Sequence, residues 1–410
     1  MDETPPPDPG GHPGEVFGAF FRQGLTAFGG PAAQAAAFRR EFVERRGWLG
    51  EAAFADLFAM AQFLPGPSSN ALGMAIGLRR AGPIGLIAAA LGFALPAGAA
   101  MVGLAYLLPN LDVGWGDGVL HGLKLAAAAL VAQAVVAMAR PLADDPIRAG
   151  IAIGAAAGLY VAHGPVAQIL ALGAGAVFGL AFLRPPSPAS PAAPDDPAAR
   201  GLPAEAGMAA LALFVLILGV LPFLAGLLDQ PLLGLASVAY RSGALAFGDG
   251  QALLPLFHGE VVLHGWMERD ALVAGYGAMN ALPGPSLSFA GFVGASQMVA
   301  DGGWVAGVVA LAAAFAPSLL LVAGVAPFWD RLKLRPATRG AVAGVNAVAV
   351  GLLAAALWSP ALTAAIERPS DWLLAIGAFV FLAVARLPAW LVVVGFAVAM
   401  GAFHPTVVGT

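Results

Sequence analysis

The chain contains no cysteine, and that single absence removes disulfides, thiolate catalysis, iron–sulfur ligation and cysteine-ligated zinc together. Charge is almost as scarce: 20 Lys and Arg and 24 Asp and Glu are spread over 410 residues, 11% of the chain against roughly a quarter in an ordinary globular protein. So few charges cannot build a solvated surface, which argues against a soluble enzyme. Basic charge is not in excess either, and a net charge of −4 gives no footing for a nucleic-acid partner. The six histidines show neither HExxH nor any clustered spacing, so no metal site and no cofactor is expected. What the chain does have is apolar sequence, 59% hydrophobic with a mean hydropathy of +0.82. Its 54 Gly and 33 Pro lie largely inside apolar runs, where membrane helices tolerate them. The composition is that of an all-α polytopic membrane protein whose first partner is the lipid bilayer.

One polar, Pro- and Ala-rich break interrupts the apolar sequence at residues 184–206 and reads as a linker. It divides the chain into a tail at 1–14, expected to be disordered and cytosolic, a first half at 15–183 and a second half at 207–410. The halves resemble each other. Arg22, Gly24, Phe28 and Gly29 match Arg241, Gly243, Phe247 and Gly248 at one offset, and Glu41 matches Glu260. After a one-residue slip Trp48 meets Trp266, and Pro65-Gly66-Pro67-Ser68 meets Pro283-Gly284-Pro285-Ser286. Further on, Pro96 meets Pro317 and Gly122-Leu123-Lys124 meets Gly344-Val345-Asn346. Rare residue types coinciding in order mark an internal duplication. Duplications of this size in helical membrane proteins are typical of secondary transporters, with substrate bound where the repeats meet.

Lys and Arg favour the cytoplasmic side of a membrane. In the first half the early segment with Arg39, Arg40, Arg45 and Arg46 is basic, while the later one holds Asp112 and Asp117. The second half reverses this, with Arg269 alone in its early segment and Arg331, Lys333, Arg335 and Arg339 in its later one. That reversal predicts an inverted-topology repeat. Nine apolar stretches qualify as spans: 84–108, 118–140, 149–163, 165–183, 207–228, 304–328, 340–358, 371–386 and 388–404. Four others are broken in the middle by FGG or PGP motifs, at 17–38, 54–78, 232–257 and 271–299, and are expected to be re-entrant. The charges of residues 39–48 are expected to lie solvated along an interfacial amphipathic helix.

PGP stops one helix and starts another, so Ser68, Ser69 and Asn70, and Ser286 with Ser288, fall near new helix N-termini. Exposed amides and hydroxyls there suit an anion. Arg22 and Arg241 precede the two Gly-rich breaks (Gly29-Gly30 and Gly248) by the same spacing, and a guanidinium forks well onto a tetrahedral oxyanion. Their alternatives are snorkelling or an ion pair with Glu15, Asp249 or Glu260. Lys124 and its repeat partner Asn346 either contact the anion or, for Lys124, snorkel. Asp56, Asp249, Gln62 and Asn280 are the remaining polar residues near the breaks; Asp56 or Asp249 carries a coupling proton or pairs with a nearby arginine. Glycines 150, 154 and 158 read as a helix-packing stripe, or as a homodimer face. No nucleophile triad or catalytic carboxylate pair has recognisable spacing, so the chain does not read as an enzyme.

The motifs from Arg22 to Ala33, Arg39 to Leu49, Phe54 to Asn70, Phe247 to Pro255 and Asn280 to Phe289 resemble those of the chromate ion transporter family in its long, two-domain form. The resemblance implies export of chromate from the cytoplasm across a bacterial-type inner membrane, conferring chromate resistance, with sulfate as a structural analogue. The breaks and the polar residues near them make the expected substrate site Arg22, Gly29, Gly30, Pro65 to Asn70, Lys124, Arg241, Gly248, Asn280, Pro283 to Ser286 and Asn346. Asp249 departs from the pattern, since a glycine is expected there and an acid beside a dianion needs a partner or a proton. The alternatives are a carrier of sulfate or another oxyanion, or an anion channel with the same cavity.

Overall fold

A computed structural model of the chain describes residues 11–111, 115–162, 164–183, 202–246, 251–296 and 303–407. Among them every regular element is helical. In the first half α1 (Pro13–Thr26) and α2 (Gly30–Arg39) flank the Gly-rich break, and α3 (Glu51–Phe63) and α4 (Ser68–Leu107) flank the PGP. They are followed by α5 (Trp115–Leu142), α6 (Pro146–Val161) and α7 (Pro165–Phe182). Next comes α8 (Ala204–Leu228), largely exposed and apolar. The second half continues with α9 (Pro231–Leu245), α10 (Leu253–Phe257), α11 (Arg269–Met279), α12 (Phe289–Ser296), α13 (Gly303–Val325), α14 (Trp329–Leu332) and α15 (Pro336–Ala356). It closes with α16 (Thr363–Ala365), α17 (Pro369–Ala383) and α18 (Ala389–Val407).

The local sequence explains the boundaries. Proline stands in the first turn of α1, α2, α6, α7, α9, α15 and α17, where its missing amide costs nothing. Gly29, at φ 99°, adopts the left-handed backbone that lets α1 stop and α2 begin. The matched PGP glycines do the same at φ 103° for Gly66 and 104° for Gly284. The 40 residues of α4 would reach about 60 Å if straight, twice the bilayer core. They fold back at Ala81 and Gly82 instead, and the two arms touch where Gly77 meets Gly85. Among the described residues six helical stretches are long and apolar enough to cross a membrane, and each of the nine expected spans overlaps a helix.

Matched residues make matched contacts. Helix α1 packs along α4, and α9 along α13; a Cβ at Gly24 would lie 2.8 Å from the Phe93 carbonyl, and one at Gly243 2.1 Å from that of Ala314. The last two helices of each half embrace the other half: α6 and α7 pack on α15, while α17 and α18 pack on α5. Here too the paired glycines are the contact points, Gly122 against the Phe396 carbonyl and Gly344 against that of Gly175. Both matched glutamates, Glu41 and Glu260, lie buried in widened helical turns at Arg40–Arg45 and His258–Val262.

Two expectations need correction. Residues 39–48 do not present a uniformly solvated charged set. Phe42 is fully buried, Glu41 is held by Arg45 and Arg46, and Arg46 and Arg80 each lie 5.2 Å from the Trp48 ring centre. Nor do the glycines of the α6 stripe pack closely within the chain: nothing would lie within 4 Å of a Cβ at Gly150, Gly154 or Gly158.

A methyl at Gly344 would sit 2.0 Å from the Gly175 carbonyl, so α7 and α15 must separate to admit it. Gly344→Ala is expected to destabilise by about 1–3 kcal/mol, the range for overpacking, measured as a lower thermal midpoint in detergent. Gly219→Ala, where the space is open, leaves that midpoint unchanged or raises it.

Candidate functional site

The Gly-rich break of the first half and the PGP break of the second half meet and hold each other. The Gly284 amide donates to the Ala27 carbonyl at 3.1 Å, and the Gln34 side-chain amide donates to the Gly284 carbonyl at 2.6 Å. A Cβ at Gly284 would lie 2.8 Å from that of Ala97 and 3.1 Å from the Gly24 carbonyl, which makes glycine obligatory on two counts. Between the breaks lies a small cavity, partly open to solvent.

Its polar lining consists of Gln34, Ser69, Gln251, Tyr276, Asn280, Ser286 and Ser288, with the backbone of Gly29, Gly30 and residues 282–285. No described lining residue carries a charge. Three helices begin at this cavity: α2 at Gly30, α4 with Ser69 in its first turn, and the turn Ser286–Ser288 that leads into α12. First-turn residues of all three line the cavity, and amides and dipole ends of that kind, together with hydroxyl and amide side chains, make a neutral donor set suited to an anion.

The first-half PGP is seated reciprocally in the second half. A Cβ at Gly66 would lie 3.3 Å from both the Gly243 carbonyl and the Ser318 hydroxyl, the counterparts of Gly24 and Ala97. Ser68, Ser69 and Asn70 are buried there, and the Asn70 side-chain amide makes no hydrogen bond. Of these residues Ser69 reaches the cavity, whereas Pro65, Gly66, Pro67, Ser68 and Asn70 are not in its lining. Gly248 and Asp249 lie outside the described residues.

The basic residues singled out in the sequence are placed elsewhere. Arg22 is exposed on α1, because the helix turns Gln23 and Gly24 inward, one and two residues along. Arg241 donates to Glu260 at 2.7 Å, the ion-pair alternative. Lys124 is buried but engaged, with Nζ 2.8 Å from Asp270 Oδ2 and 2.6 Å from Glu367 Oε1. Asn346 is half-buried on α15 and not in the cavity wall. Asp56 pairs across the halves with Lys333 at 3.0 Å. The sequence reading missed Gln34, Gln251 and Tyr276; each is an uncharged polar residue within a few positions of a break, and that signal could have found them. It also missed His121, which lies beside Asp371 and Glu367.

Comparisons with known proteins agree with the motifs. The family model described as chromate transporter matches residues 14–180 and 233–402. A chromate transport protein of Pseudomonas aeruginosa is 32% identical over 400 residues, covering 94% of this chain and 89% of the relative. One from Cupriavidus metallidurans is 27% identical, covering 92% and 90%. An uncharacterized transporter of Methanocaldococcus jannaschii is 24% identical, covering 83% and 82%. No solved structure matches the chain.

Burial works to raise the Glu367 carboxyl, but the hydrogen bond and charge of Lys124, with the charge of His121, outweigh it and hold the group below its ordinary value. A depressed carboxyl contributes stability that is present above its unfolded pKa and lost as pH falls through the folded one. Glu367→Gln is therefore expected to lower the thermal midpoint at pH 7, with the difference from wild type shrinking to nothing under acid conditions in a pH series of melting curves.

Proposed function

The chain belongs to the chromate transporter family, and from that premise we propose that it carries chromate, a tetrahedral dianion, outward across the cytoplasmic membrane and so confers chromate resistance. The observation that carries the proposal is the cavity between the crossed breaks, with its neutral donors, three helix starts and no described carboxylate. A dianion there is met by hydrogen bonds and dipoles at several oxygens, and no fixed cation has to be abandoned when it leaves. Sulfate has the same shape and charge and is the expected competitor.

Two features support opposite insertion of the halves. Basic residues concentrate in the early segment of the first half and the late segment of the second. A single long apolar helix, α8, stands between the two family-matched regions, and one extra crossing inverts whatever follows it. In this reading the half-length helices at the FGG and PGP breaks are re-entrant, since their free backbone groups need protein or water around them. Rocking of one half against the other then exposes the cavity alternately. An inside-negative potential favours exit by about 2.3 kcal/mol per charge per 100 mV, hence about twice that for a dianion.

The test is flux of radiolabelled chromate in proteoliposomes under an imposed potential, with sulfate as competitor. Wild type is expected to show saturable flux. Asn280→Ala and Ser286→Ala are each expected to weaken apparent affinity by about tenfold or more, since a hydrogen bond to a charged group contributes about 1.5–3 kcal/mol. Arg22→Ala, on the exposed face of α1, leaves flux unchanged. Non-saturating flux would instead mark a channel, and sulfate flux without chromate flux would overturn the substrate.

A further inference from the structure

Five ionisable side chains from distant parts of the chain form one cluster at the start of α11, whose far end lines the cavity. Helix α5 supplies His121 and Lys124, both buried; α11 supplies Asp270 in its first turn; Glu367 and Asp371 lead into and begin α17. Lys124 holds Asp270 at 2.8 Å and Glu367 Oε1 at 2.6 Å. His121 Nε2 lies 3.2 Å from Asp371 Oδ1, and Nδ1 lies 3.5 Å from the same Glu367 Oε1. That second contact is long, and Nδ1 is buried without a hydrogen-bond partner. Asp371 is nearly fully buried and accepts from the backbone amides of Glu367 at 2.9 Å and Arg368 at 2.7 Å.

The charge and geometry of this cluster are incomplete without a proton. Three carboxylates, of which only Asp371 is buried, face the Lys124 ammonium and, at Asp270 alone, the exposed Arg269 guanidinium 3.4 Å away, so negative charge stays in excess around His121. A neutral imidazole always has one ring nitrogen without hydrogen, and at His121 either choice aims that lone pair at a carboxylate oxygen. Only the imidazolium presents a donor to both. A solvent-open cleft lined by His258, Glu268, Arg269, Asp270 and Ser359 reaches one edge of the cluster, and Glu367 is half-exposed, so water has access. Asp117 and Arg368 are the other charged groups near these helix ends.

We infer that His121, bracketed by Asp371 and Glu367, is a proton-binding site that links oxyanion transport to proton uptake. This rests on the transport reading above. A proton passes from water through the half-exposed Glu367 carboxylate to His121 Nδ1; the N–H bond forms as the O–H bond breaks. Glu367 Oε1 is then claimed by the imidazolium as well as by Lys124, and Lys124 turns to Asp270. Asp270 begins α11, and the far end of the same helix places Tyr276, Met279 and Asn280 in the cavity wall. Protonation is thereby read out at the anion site by one short rigid element.

The test compares wild type, His121→Gln and Glu367→Gln between about pH 5 and 8, the range in which imidazole titrates. In pyranine-loaded proteoliposomes, a chromate gradient is expected to move lumenal pH with wild type and not with His121→Gln. Radiolabelled flux is expected to lose its protein-specific pH dependence in His121→Gln and to keep it, displaced toward acid, in Glu367→Gln. Chromate itself protonates in this range, equally for every variant, so each is compared with wild type at the same pH. Melting curves of the purified proteins without substrate provide an independent reading, in which the difference between wild type and His121→Gln is expected to change with pH over the same range. If that difference is constant, the proton site is wrong whether or not chromate moves. If it changes while no anion flux is found in wild type, the site stands and the transport reading falls. Should His121→Gln not fold, an unshifted flux and melting profile in Glu367→Gln overturns the inference.

Discussion

Everything in this chain follows from the rule that a backbone amide or carbonyl freed by a helix break cannot face hydrocarbon. The described breaks, the Gly-rich one of the first half and the PGP of each half, are seated against the opposite half. Gly284 of the second half is bonded at both its amide and its carbonyl to the first half, by Ala27 and Gln34. Gly66 of the first half is seated against Gly243 and Ser318 of the second. The cavity lies where the second-half PGP meets the first-half Gly-rich break. The site is a consequence of how the fold resolves its own unsatisfied backbone.

The long-range packing obeys the same logic. With no hydrophobic driving force between helices in lipid, close approach relies on small residues, and the paired glycines 24 and 243, and 122 and 344, sit at close helix contacts. The glycines of α6 at positions 150, 154 and 158 follow the same spacing yet meet nothing within the chain. Spacing alone does not say what a glycine faces.

The elements legible in the sequence were those fixed by local covalent chemistry. PGP and FGG forced breaks, proline set helix starts, and apolar length set the spans. The duplication could be read because rare residues recur in order. What could not be read was which face of a helix turns inward. Arg22 and Gln23 are adjacent, so a rotation of about 100° separates the exposed guanidinium from the buried amide. Partners far apart in sequence were equally hidden: Lys124 meets Asp270 and Glu367 across 146 and 243 positions, and no local pattern announces either. The charged residues drew attention as anion ligands because charge is rare here, whereas the cavity itself is lined by uncharged amides and hydroxyls.

That division of labour has a physical reason. A dianion held by a buried arginine would have to leave behind an uncompensated cation, a costly state that makes release slow. Neutral donors at helix starts stabilise the ion when it is present and can turn to water when it departs. Two lysines instead pair between the halves, the half-buried Lys333 with Asp56 as well as with its neighbour Asp330, and the buried Lys124 with Asp270. Each of these pairs joins a short helix beside a PGP break, α3 or α11, to the opposite half. Under the proposed rocking of the halves, these pairs are the charged contacts that such a movement has to break or carry along.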